Sequence, residues 1–310
     1  MKTVKIFALT LILSISASYA QQLPLYSQFM NNQFLINPAV AGSEDYIPIR
    51  LTMRQQWVGV EDAPSTQALS GNLLIANQRI GVGGYLFSDR FGIDSKVGAQ
   101  GSFSYILPLG IWDSKLAFGL SFMVFQYSFN TTDAVVLDDN DQSVAYANES
   151  AFVPDANFGV FWHNDKFFMG LSGNQLIEYK VKFNSLDANE NHLVRHYFVM
   201  GGYKFKVSKV IDIEPSTIIK VTTAAPINID LNVKGYYSRN YWFGLSYRTG
   251  VPFEKDQSIV AMLGVKYKQF VFGYAYDYTI SNLNQYTSGS HEIMLGINLK
   301  ETTKKGSSLL

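Results

Sequence analysis

From residue 47 onward the chain alternates. In "PINIDLNVKGYY", Ile227, Ile229, Leu231 and Val233 take every second position, and Asn228, Asp230, Asn232 and Lys234 take the others. Successive side chains of an extended strand point to opposite faces, so this stretch is apolar on one side and strongly polar on the other. "FVFGYAYDYTI" repeats the pattern, with Phe270, Phe272, Tyr274, Tyr276 and Tyr278 on one face and Val271, Gly273, Ala275 and Asp277 on the other. The same period predicts about fourteen strands between Ile47 and Lys300, an even number in the range of outer-membrane barrels. The stretches holding Pro215, or Gly81, Gly83 and Gly84, are the weakest of these, because proline removes a ladder donor and glycine adds no packing.

A period of two fits a soluble all-β fold or a transmembrane barrel, and composition separates them. Aromatic residues make up 15% of the chain and charged residues 16%, where a soluble domain carries about 25% charge. Beyond the leader no apolar run reaches the ~20 residues of a spanning helix, which excludes a helical membrane protein. The links between strands also alternate. Those after even-numbered strands are short, as at Asn164-Asp165 and Ser238-Arg239-Asn240. Those after odd-numbered strands are mostly longer, as at 56–66, 129–154 and 173–191, with 89–94 and 222–225 the shortest of them. Tight periplasmic turns and long outer loops are properties of a barrel. The predicted fold is therefore all-β, a transmembrane antiparallel β-barrel. With the Ile227 and Phe270 faces on lipid, Arg50, Arg54, Gln100, Asp212, Glu214, Lys220, Asp230, Lys234, Arg248, Lys266, Asp277 and Glu292 point inward and make a polar lumen.

The first twenty residues have the layout of a secretory signal: Lys2 and Lys5, an apolar run from Ile6 to Ile15, then Ser18-Tyr19-Ala20. Gln21, not Cys, follows the cleavage site, which argues against a lipid anchor there. The expected organisation is a signal peptide at 1–20, an N-terminal segment at 21–46, a barrel at 47–300 in the outer membrane of a Gram-negative cell, and a flexible periplasmic tail at 301–310. An exported chain with no cysteine gains nothing from disulfides. Its 25 basic and 25 acidic residues cancel, so nothing draws it to nucleic acid.

Catalytic chemistry finds little support. No G-x-S-x-G elbow occurs, and His192 and His196 would stand about 13 Å apart on a strand, too far to share a metal ion. Asp138, Asn140, Gln142 and Glu149 fall at positions one, three, five and twelve of a calcium loop, but Ser143 stands where the turn glycine belongs. An acidic surface loop is the simpler reading. No catalytic residue, metal or cofactor is expected.

Fourteen strands enclose more space than their own side chains fill. The uncharged stretch "YSQFMNNQFLINPAVAG" precedes the first strand, and Tyr26, Phe29, Met30, Gln33 and Phe34 in it follow helical spacing, with Ser27 placed to cap and Pro38 to stop. Gln28, Asn31 and Asn32 are amides able to bond a polar wall without the cost of burying a charge. The segment is a candidate lumenal or periplasmic plug, with an unordered lead-in as the alternative.

Two unusual segments in order and spacing carry a family resemblance. "LPLYSQFMNNQFLINPAVAGS", with Tyr26, Gln28, Phe29, Asn31, Phe34, Asn37, Pro38 and Gly42, is followed by "LTMRQQWVG", with Arg54, Gln55, Gln56 and Trp57. Together they resemble the PorP/SprF family of outer-membrane proteins of the type IX secretion system. The resemblance implies a non-enzymatic barrel in outer-membrane lipid that helps secrete, or attach at the surface, large proteins with a C-terminal sorting domain, gliding adhesins among them. It implies partners in the type IX translocon or its periplasmic components. An outer-membrane channel for small or hydrophobic solutes is the alternative function.

Overall fold

A computed structural model describes residues 23–75, 79–130, 148–181, 193–223, 225–251 and 257–299. The expected signal peptide at 1–20, the expected tail at 301–310, His192, and Asp138, Asn140 and Gln142 of the calcium-loop reading lie outside the described residues. Glu149 falls within a strand.

The strands are β1 (Pro48–Gln55), β2 (Ser65–Ile75), β3 (Ile80–Phe91), β4 (Asp94–Leu109), β5 (Ser114–Asn130), β6 (Asn148–His163), β7 (Phe167–Asn174), β8 (His196–Tyr203), β9 (Phe205–Lys206), β10 (Ile211–Thr222), β11 (Ala225–Tyr237), β12 (Tyr241–Val251), β13 (Ser258–Tyr267), β14 (Phe270–Thr279) and β15 (Ser290–Asn298). Each pairs antiparallel with its chain neighbours, and β1 pairs with β15 to close the ring. β8 and β9 are one strand. Gly202 faces Ser216 and Phe205 faces Ile213 in unbroken register, and the gap between them falls opposite Pro215, which has no N–H to give. The barrel thus has fourteen staves, and the Pro215 and Gly81–Gly84 stretches both belong to it.

Strand length corrects the loop reading in two places. The connection at 92–93 is a tight turn, and β10 and β11 pair as far as Thr222 and Ala225, because β3, β4, β10 and β11 run on into what the sequence suggested was loop. The turns at 110–113, 164–166, 207–210, 238–240 and 268–269 share one rim, the periplasmic one by the usual asymmetry of such barrels. Trp112 at that rim stacks on Trp162 at 5.8 Å, and Phe167 meets Trp162 edge-on at 4.8 Å. Amphipathic rings at a barrel rim suit the headgroup level of a bilayer.

Burial alternates along the staves. In β5, Leu120 and Phe122 are exposed on the outer wall while Ser121 and Met123 are buried inside. Because the outer wall faces hydrocarbon, Leu120→Lys is expected to cost about 2–4 kcal/mol, the price of a cation near the bilayer midplane. Denaturant unfolding from vesicles measures it, and an unchanged midpoint would place Leu120 off the lipid face.

Candidate functional site

Residues 23–46 run through the inside of the barrel and then turn into β1. They do not form the α-helix that the spacing suggests. Three short 3-10 turns, Phe29–Asn31, Gln33–Leu35 and Pro38–Val40, replace it, and Pro38 opens the third turn instead of stopping a helix. The Asn37 side chain accepts from the Ala39 N–H at 2.9 Å and caps that turn. Its fixed φ suits Pro38 to a first helical position. Phe29, Phe34 and Val40 are buried against Ile106, Ala117, Phe161, Phe168, Met200, Ile218, Val260 and Met262 of the inner wall. The lumen is therefore not uniformly polar. At the level of this segment it carries an apolar lining from many strands, because each 3-10 turn directs its large side chains outward in several directions.

Glycine gives the segment room. Gly119 of β5 and Gly159 of β6 face each other in the ladder. A Cβ at Gly119 would overlap the Ala39 nitrogen, and one at Gly159 the Asn37 side-chain oxygen. A Cβ at Gly83 would lie 2.8 Å from the Phe34 ring, and one at Gly273 would overlap the Gln28 amide. Over this floor Asn37 Nδ2 donates to the carbonyls of Val160 (3.0 Å) and Leu171 (3.2 Å). Gly42, at φ +74°, closes the run, and its N–H donates to Asn72 Oδ1 at 3.0 Å.

Charged side chains hold the other end. Glu292 of β15 accepts the backbone N–H groups of Ser27 (2.7 Å) and Gln28 (2.9 Å) on its two carboxylate oxygens. Arg54 of β1 donates to Ser27 Oγ at 2.8 Å and to Asp277 at 3.0 Å, and its Nη1 lies 3.6 Å from Glu292. Arg248 bridges Asp277 (2.8 Å) and Asp230 (3.0 Å), and Lys220 reaches Asp230 at 2.9 Å. Three cations, Arg54, Lys220 and Arg248, thus meet three carboxylates, Asp230, Asp277 and Glu292. Buried ions are tolerable only when paired and further hydrogen-bonded, and this group is balanced by strand register: Arg54 faces Glu292 and Asp230 faces Arg248.

The remaining singled-out residues are spread over the wall and rim. Lys234, buried, donates to Asn31 Oδ1 at 2.8 Å and lies over the Tyr236 ring. Arg50 donates to Asn298 Oδ1 at 2.8 Å and to the Ile297 carbonyl. Beside it, burial raises the Glu44 carboxyl above its usual value, against the pull of the Arg50 guanidinium. Tyr26 is half-buried and packs against the apolar cluster of the lumen. In the second motif only Arg54 enters the lumen. Gln55 is exposed and the Gln56 N–H donates to Pro64 O. Trp57 sits at φ +48° on the outer rim, its N–H on Ser290 Oγ at 3.1 Å. His196 is buried, with Nδ1 2.8 Å from the Val194 carbonyl, and among the described residues no cluster of metal ligands occurs.

A family model described as "Type IX secretion system membrane protein PorP/SprF" matches residues 18–297. The chain belongs to that family. No curated protein matches this PorP/SprF chain in sequence. Its fold resembles solved outer-membrane barrels. A Pseudomonas aeruginosa FadL homologue aligns at a TM-score of 0.50 with 10% identity, over 92% of this chain and 96% of that one. The CymD monoaromatic hydrocarbon channel aligns at 0.51 with 11% identity, over 90% and 94%. At such identities the likeness is one of fold. The PorP/SprF barrel is an outer-membrane component of type IX secretion.

Proposed function

We propose that this barrel serves secretion or surface attachment of large adhesin-type proteins with a C-terminal sorting domain, alongside the type IX translocon or its periplasmic components, and that residues 26–42 plug its lumen. The observation that carries the reading is a lumen shaped around its own chain: glycines where Asn37 and Ala39 lie, and a carboxylate where two N–H groups arrive. A wall fitted to an internal segment supports work done through partners more than free passage of solutes. Neither catalysis nor a cofactor enters this reading.

Deleting the gene is expected to remove one or a few large proteins from the cell surface and to leave small-solute uptake unchanged. Normal surface display of sorting-domain proteins would overturn the proposal. Deleting only 26–42 is expected to give a folded barrel that conducts in planar bilayers or fails its client. Unchanged conductance and unchanged display would reduce the segment to a lead-in. Reduced solute uptake with normal display would favour the solute-channel alternative.

A further inference from the structure

The outer wall is not evenly rough. Across β2, β1, β15, β14 and β13 a groove of about 470 Å³ opens toward the membrane, lined by Leu51, Leu69, Tyr267, Phe270, Phe272 and Leu295. Its volume lies in the range of small-molecule sites, ~300–1,000 Å³, and is far too small for a folded partner. The floor is low because Gly296 and Val271, paired across β14 and β15, turn their side toward the lumen. Its two banks are rows across the strands, Leu51, Leu295 and Phe272 on one side and Ile49, Ile297 and Phe270 on the other, with Gly296 and Val271 between them. Every lining side chain is apolar or aromatic, and the face belongs to the membrane-exposed wall.

The groove ends at the periplasmic rim, and a cation stands there. Tyr267, which lines the groove, leads into the turn at 268–269, and Lys268 Nζ lies 5.5 Å from the centre of its ring. Lys268 is exposed and held at φ +55°. The neighbouring hairpin, between β11 and β12, presents Arg239 at φ +57°, also exposed. An apolar trough with an exposed cation at its headgroup end is complementary to one class of molecule, an anionic amphiphile in the inner leaflet. We propose that this groove is a binding site for a single phospholipid, with one acyl chain in the trough between the two rows and the phosphate at Lys268. The site lies on the opposite side of the wall from Arg54 and Glu292, so it stands whether or not residues 26–42 plug the lumen.

Native mass spectrometry of the intact barrel in detergent, titrated with palmitoyl-oleoyl-phosphatidylglycerol, tests this. One lipid adduct is expected to survive at collision energies that strip the rest. Leu295→Trp, which fills the trough, and Lys268→Glu, which reverses the charge, are each expected to reduce that adduct at least tenfold. Leu120→Trp, on exposed wall elsewhere, is expected to leave it unchanged. Heat-modifiable gel migration establishes that each variant is folded. Equal loss in Leu120→Trp, no loss in Leu295→Trp, or equal retention of the phosphate-free diacylglycerol would overturn the site. A diacylated lipopeptide that displaces the phospholipid at equimolar concentration would overturn it in favour of a lipoprotein anchor.

Discussion

Valine at Gly159 is expected to leave the barrel wall standing and to drive Asn37 from its seat. The strand itself accepts the change, since β-branched residues suit a pleated wall. The segment does not, because the new Cβ falls on the Asn37 side-chain oxygen. Overpacking of this kind costs about 1–3 kcal/mol. Here Asn37 also loses its hold on Val160 and Leu171, at about 0.5–1.5 kcal/mol for each hydrogen bond. A sum near 3 kcal/mol moves a docking equilibrium about a hundredfold. The chain has no cysteine, so a single reporter at Met30, buried in the lumen, gives a clean readout. Maleimide is expected to label Met30→Cys slowly in the parent and about a hundredfold faster with Gly159→Val. Gly101→Val, where a Cβ meets open space, is the control. Equal labelling in all three would show that the glycine floor does not hold the segment.

Glu292→Met is expected to have the second large effect. It removes the acceptor for Ser27 and Gln28 and strips Arg54 of one of two carboxylates. Breaking a buried ion pair from one side costs about 3–5 kcal/mol, because the surviving charge stays buried and under-compensated. Arg54→Met is expected to cost a similar amount. The double substitution removes one charge of each sign, leaves Arg248 to pair with Asp277, and is expected to cost less than the sum by at least 1 kcal/mol. Denaturant unfolding of the three variants in detergent measures the cycle. Strict additivity would mean that the Arg54 and Glu292 charges are not coupled.

The wall was legible because its signal is repeated. Leu231 and Asp230, or Phe272 and Asp277, state the inside and the outside many times over, and a period-two error would have to recur in every stave to mislead. Single connections carry no such repetition, which is why 89–91 and Thr222 read as loop where β3 and β10 continue. The helical spacing of Tyr26, Phe29, Met30, Gln33 and Phe34 does not yield an α-helix, because the segment's contacts come from walls on several sides and favour three separate turns. Its seats were visible only in retrospect. Gly83, Gly119, Gly159 and Gly273 are inward positions in their strands, but a lone glycine in a strand says only that something comes close. What comes close lies more than a hundred residues away for Asn37 and its partners on β6 and β7.

Glu292 belongs to the last strand and Arg54 to the first, and Ser27 touches both. The place where Ser27 and Gln28 come to rest does not exist until β15 has joined β1 and closed the ring. During insertion the earliest part of the segment must therefore wait for the latest part of the chain, across a sequence separation of 265 residues at Ser27. Contacts this distant in sequence form late and slowly. Docking of the N-terminal segment thus records that every stave is in position, and a barrel stalled before its final strand would hold its first residues loose in the periplasm.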